Sequence, residues 1–143
     1  MLGEMKSTLL IFPGTNREQD MVMAIEQASG TKPELVWYND ANFPKTDLII
    51  VPGGFSYGDY LRSGAMAARS PAMNLVAEYA RKGVPVLGVC NGFQILTEVG
   101  LLPGALIRNK NLKFICRNIN IRVEIDNTIF TSGYSKGQIL SIP

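Results

Sequence analysis

Val84-Pro85-Val86-Leu87-Gly88-Val89-Cys90-Asn91-Gly92-Phe93-Gln94-Ile95-Leu96-Thr97-Glu98 is the stretch on which the fold turns. Its first part is a short apolar run of strand length, and its last part, from Phe93, has helical spacing. Cys90 falls between them with Gly88 and Gly92 two residues to either side. Such glycines leave room for tight packing and for strained backbone at the apex. A glycine-flanked residue on a strand-to-helix turn is the pattern called a nucleophile elbow, more often built on serine. It also places the thiol at a helix N-terminus, where the dipole and unpaired amides favour negative charge. An inert packing cysteine is the competing reading. The 143-residue chain contains no histidine, the usual base for such a thiol.

Working outward, further strands alternate with helices. Thr8 to Phe12 reads as a buried strand stopped by Pro13-Gly14. Asn16 is placed to cap the following helix, with Gln19 three residues on, and Met21, Ile25 and Ala28 follow at helical spacing. Gly30 suits its end. Glu34 to Tyr38 and Asp47 to Val51 read as the second and third strands, the third ended by Pro52-Gly53-Gly54. Ser70-Pro71 opens a helix with a capping hydroxyl and a proline at its first position. Leu75, Val76 and Tyr79 form the apolar face of that helix, and Gly83 closes it. Continuous apolar strands alternating with helices imply a parallel sheet covered on both faces. The expected fold is therefore α/β, a flavodoxin-like doubly wound, mostly parallel sheet.

The last third differs. Lys113–Arg117 and Ile119–Ile125 alternate with period two, as half-exposed antiparallel strands do, and Gln138 to Ile142 is one more short strand running into Pro143. This predicts an antiparallel extension. Ending on an extended apolar segment with no closing helix, the chain reads as interrupted, and its start, Met1–Glu4, reads as a loose extension.

Length and an apolar content of 46% suit a single globular domain over residues 1–143. A net charge of +2, small and scattered along the chain, does not suggest a nucleic-acid surface. The basic run Arg108–Lys113 reads as a solvated loop. No stretch is long enough to span a membrane, no secretory leader is evident, and the expectation is a cytoplasmic protein. Two cysteines in unlike contexts form no disulfide framework and no metal site. Cys116, on an alternating segment, reads as a buried structural thiol.

In a parallel sheet the C-terminal ends of the strands share one rim, and ligands bind there. Gly53 and Gly54 lie past one such end and Cys90 past another. The amides of Gly53, Gly54 and Asn91 could together hold an oxyanion, although tight turns need glycine in any case. Gln94, one helical turn beyond Cys90, is either a substrate contact or an ordinary surface residue. Asp59 and Arg62 read as a surface ion pair.

Pro52–Arg62, Gly88–Leu96 and Arg108–Arg117 together resemble the amidotransferase subunits of phosphoribosylformylglycinamidine synthase, within the class I (triad) glutamine amidotransferases. The elbow is common to the whole class, and the other two segments are more specific. The resemblance runs from Leu9 to Pro143. It implies that Cys90 attacks the side-chain amide of glutamine, that Gly53, Gly54 and Asn91 hold the oxyanion, and that Gln94 helps bind glutamine. It implies transfer of ammonia to a synthetase subunit, which uses ATP and Mg to convert formylglycinamide ribonucleotide, and it admits a small third subunit. No cofactor is expected in this chain, which has no P-loop pattern.

Family members continue past the equivalent of Pro143 and carry the triad histidine and glutamate there. The resemblance therefore implies a domain lacking its C-terminal part, with little activity alone, an uncovered sheet edge and a tendency to associate. Two other readings remain open. One is a non-catalytic module docking on the synthetase through the Tyr57–Arg62 and 108–113 loops. The other is a cysteine hydrolase or chaperone-like protein of the same fold, against which the Asn109–Arg117 segment speaks.

Overall fold

Ser7-Thr8-Leu9-Leu10-Ile11 forms β1 (Ser7–Ile11), with every side chain buried. The structure, a computed structural model, describes residues 4–40 and 42–143, so the expected loose start at Met1, Leu2 and Gly3 lies outside the described residues. β1 pairs in parallel with β2 (Glu34–Trp37) on one side and β3 (Leu48–Val51) on the other. β3 then pairs in parallel with β4 (Val86–Gly88), giving the order β2-β1-β3-β4. That is the order of a flavodoxin-like doubly wound sheet, with its switch point between β1 and β3.

Both faces are covered, as the continuous apolar strands require. On one face Ile25 of α1 (Glu18–Ser29) packs with Leu9, Ile11 and Ile50, helped by Met21 and Val22. Ala28, expected on this face, is exposed. On the other face, α2 (Pro71–Arg81) contributes Ala72, Met73 and Val76, and α3 (Asn91–Glu98) contributes Ile95 and Leu96. They meet Leu10, Phe12, Ile49 and Val51. Each such large side chain stabilises the fold by roughly 1.5–3 kcal/mol when fully buried. The elbow strand β4, expected to be buried, is half-buried, because among the described residues it pairs only with β3 and forms an edge.

Helix ends follow local chemistry in most places. Ser70 Oγ accepts from Met73 N–H at 3.2 Å, with Pro71 at the first helical position. Gly30 closes α1 in the left-handed conformation (φ 77°) and donates its N–H to Glu26 O. The cap expected at Asn16 does not form. α1 starts later, behind Arg17, with no side-chain cap. Backbone bonding around Thr15, described below, holds the segment before it in another shape.

The described chain divides into two compact units, Met1–Leu106 and Ile107–Pro143. In the second, β5 (Ile119–Arg122) pairs antiparallel with β6 (Ile139–Ile142), the expected antiparallel extension. Lys113–Arg117, expected as a strand, is not one. Its alternation meets no partner among the described residues, and it instead follows a turn in which Asn109 Nδ2 donates to Lys113 O at 2.8 Å. Cys116 is accordingly exposed rather than buried. Among the described residues, no helix is long and apolar enough to cross a membrane, and no three His, Cys, Asp or Glu side chains gather as a metal site would need.

Candidate active site

Cys90 stands between β4 and α3 with φ 54° and ψ −111°, a conformation that L-residues rarely adopt. Holding a non-glycine residue there costs on the order of 1–3 kcal/mol, which the surroundings must supply. They do so by close packing. A Cβ on Gly92 would overlap the Val51 carbonyl oxygen, and one on Gly88 would lie 2.8 Å from the Gly92 oxygen. α3 is thereby pressed against the ends of β3 and β4. Gly92 N–H donates to Val89 O at 2.8 Å and Gln94 N–H to Cys90 O at 3.2 Å, so the turn is closed by backbone bonds. The cysteine itself is exposed, as a nucleophile must be.

The loop after β3 comes up beside it. A Cβ built on Gly53 would sit 3.5 Å from Cys90 Cβ, so the two backbones run side by side. Gly54, with φ 143°, is held by the loop after β1: it forms an isolated bridge with Thr15, and Phe55 N–H donates to Gly14 O at 2.9 Å. Tyr57 N–H adds a bond to Pro13 O at 2.6 Å. Among the described residues, the amides of Gly53, Gly54 and Asn91 donate to no protein acceptor. The structure therefore brings Gly53, Asn91 and Gln94 to Cys90, with Gly54 one residue further along the same loop.

Asn91 is nearly buried (3% exposed) and accepts from Ser56 N–H at 3.1 Å through Oδ1. Its Nδ2 donates to Gln94 Oε1 at 3.0 Å. Past Ser56 the loop takes positive φ at Tyr57, Asp59 and Leu61 before Arg62 anchors it. Arg62 makes two 2.7 Å bonds to the carboxylate of Glu98, at the far end of α3, and not the pair with Asp59 expected from sequence. These hydrogen bonds hold the Glu98 carboxyl below its ordinary value. Burial, with Tyr38 beside it, lifts the Tyr57 phenol above its own.

Four contributors escaped the sequence reading. Gly14 and Thr15 pin Gly54, Ser56 binds Asn91, and the stem of Arg17 would lie 3.6 Å from a Cβ on Gly53. Pro13-Gly14 could have been found, because the end of β1 shares the rim with the ends of β3 and β4. Ser56 and Arg17 carry no local signal.

A family model described as the CobB/CobQ-like glutamine amidotransferase domain matches residues 4–143. The chain is 59% identical over 140 residues to phosphoribosylformylglycinamidine synthase subunit PurQ of Rhodopseudomonas palustris (strain BisB18), covering 97% of this chain and 60% of that protein. It is 55% identical over 140 residues to the protein of that name from Rhodospirillum rubrum, covering 97% and 61%. Among solved structures it resembles a chain of PurLQS from Thermotoga maritima, with a TM-score of 0.87 and 42% identity over 99% of this chain and 66% of that one. The chain thus spans about 60% of the length of these curated relatives.

Proposed function

This chain belongs to the CobB/CobQ-like glutamine amidotransferase domain family, and from that premise we propose that it carries the nucleophile of a glutaminase serving phosphoribosylformylglycinamidine synthase. The observation that carries the reading is the exposed Cys90 on its strained turn, with the Gly53 backbone beside it. Cys90 Sγ attacks the carbonyl carbon of the glutamine side-chain amide. The free amides of Gly53, Gly54 and Asn91 are the donors available to the oxyanion that forms. Collapse of that intermediate breaks the C–N bond, the nitrogen takes up a proton and leaves as ammonia, and a glutamyl thioester remains. Water then releases glutamate and restores the thiol. Gln94 contacts the glutamine.

The thiol proton must be carried to the departing nitrogen. No histidine exists in these 143 residues to do so, so a histidine base, if the reaction uses one, belongs to polypeptide outside them. Ammonia passes to a synthetase subunit, where ATP and Mg drive the conversion of formylglycinamide ribonucleotide. The assembly named for the solved relative, PurLQS, supports such a partner and leaves room for a small third subunit. A cytoplasmic setting follows from the same assignment to nucleotide biosynthesis.

A diazoketone analogue of glutamine, which alkylates a thiol only after binding as glutamine does, tests the reading. The expected result is covalent labelling of Cys90, seen by peptide mass spectrometry and absent in Cys90→Ala. Iodoacetamide should label Cys90 as well, and the chain alone should release ammonia from glutamine at a rate close to background. If iodoacetamide labels Cys90 and the analogue does not, glutamine recognition is wrong. Robust hydrolysis by the chain alone, abolished by Cys90→Ala, would overturn the need for an outside base.

A further inference from the structure

The amides of Asn91 and Gln94 each have an oxygen end and a nitrogen end, and such groups can be turned over without changing their shape. Here one contact decides both. Ser56 offers a backbone N–H, which can only donate, so the Asn91 atom 3.1 Å from it is oxygen. The other end of Asn91 is then NH2, a donor. The Gln94 atom 3.0 Å from it must in turn be oxygen. Gln94 is left with its NH2 free, and among the described residues that group has no protein partner.

From this chain of donors and acceptors we propose that the Asn91 side chain is a positioning residue, with two effects. It locks the Gly53–Ser56 loop to the residue that follows the nucleophile, so that the amides of Gly53, Gly54 and Asn91 keep a fixed spacing around Cys90. It also sets the polarity of Gln94, so that the substrate meets a donor and must supply an acceptor oxygen, from a carboxylate or an amide carbonyl. This second effect rests on the reading that the substrate is glutamine. The lock does not.

Burial makes the arrangement stringent. Asn91 and Ser56 are 3% and 2% exposed, so water cannot replace a lost bond cheaply. The Ser56 hydroxyl already lies buried without a partner, which leaves that residue little else to hold it. The connection also spans the fold: Ser56 and Asn91 are 35 residues apart, Ser56 in the segment that leaves β3 and Asn91 at the start of α3, behind β4.

Three variants of the full 143-residue chain test the proposal at pH 8. Asn91→Leu, branched at the same atom, removes both bonds. Asn91→Asp keeps an acceptor for Ser56 but faces Gln94 with a second oxygen, which forces Gln94 to turn and present its own oxygen outward. Gln94→Glu presents an oxygen outward with Asn91 intact. Amide hydrogen exchange at Ser56 should accelerate by more than about tenfold in Asn91→Leu and stay near wild type in Asn91→Asp. Labelling of Cys90 by the diazoketone analogue should fall by about 10- to 100-fold in both Asn91→Asp and Gln94→Glu, the range expected for losing a hydrogen bond to a charged group. Iodoacetamide labelling should change little in either.

Unchanged Ser56 exchange in a folded Asn91→Leu, or wild-type analogue labelling in Asn91→Asp, overturns the proposal. If Asn91→Leu does not fold, the matched losses in Asn91→Asp and Gln94→Glu still decide it, because a purely structural role gives no reason for them to agree. If the analogue labels no form of the chain, glutamine recognition has failed, and Ser56 exchange still decides the lock.

Discussion

A methyl group added at Gly92 has nowhere to go, since it would overlap the carbonyl oxygen of Val51. Gly92→Ala should therefore cost about 1–3 kcal/mol from overpacking and lower the melting temperature by roughly 4–12 °C, measured by circular dichroism. Cys90 points the opposite way. Its positive φ stores strain that glycine would not feel, so Cys90→Gly should abolish labelling yet raise stability by about 1 kcal/mol or less, after the entropy cost of glycine. A denaturation midpoint below wild type would show that the turn is unstrained. Both residues were legible in the sequence, because a glycine-flanked cysteine between an apolar run and a helical one is a local pattern. Ser56 was not, since nothing in its neighbours marks the amide it lends to Asn91.

At the scale of elements, two helix starts give contrasting expectations. The Ser70 hydroxyl caps α2, and Ser70→Ala should cost about 1 kcal/mol in urea unfolding. Asn16 reads as an equally good cap but makes no such bond, and Asn16→Ala should fall within about 0.5 kcal/mol of wild type. The sequence reading failed there because β-bridge bonding between the loops after β1 and β3 fixes the backbone first.

Arg62 and Glu98 join the loop after β3 to the far end of α3. Glu98 is held below its ordinary carboxyl value by those bonds, so its contribution is present above the unfolded-state value and is lost as pH falls through the folded one. Glu98→Gln should lower the melting temperature at pH 7, and the gap to wild type should close below about pH 4. The Arg62 side chain is 58% exposed, so salt should shrink the gap too. A gap that persists at low pH and high salt would mean that packing, not charge, is what Glu98 supplies.

Across the whole molecule, the two units differ in how they bury apolar surface. Met1–Leu106 has apolar layers on both faces of its sheet, whereas in Ile107–Pro143 large side chains such as Ile107 and Phe114 are 90% and 91% exposed. Among the described residues, the edge strand β4 adds unpaired backbone. The chain should therefore self-associate at micromolar concentration, seen as a rising weight-average mass in sedimentation equilibrium. A monomer that stays monodisperse over that range and melts sharply would contradict this.

What the sequence determined by itself is what repeats or clusters over a few residues. That covers the alternation of apolar strands with helices, the capping serine before Pro71, the glycine that ends α1, and the elbow around Cys90. What only the tertiary structure decided is which distant groups meet. Lys113–Arg117 alternates as a strand should, yet finds no strand partner among the described residues, and Cys116 is exposed with it. Ser56 meets Asn91 and Arg62 meets Glu98 across 35 and 36 residues. The reason is physical: periodicity is set by the geometry of one segment, whereas a hydrogen bond needs two segments brought to contact distance. Here the order β2-β1-β3-β4 does that, by setting the loops after β1 and β3 beside the turn after β4.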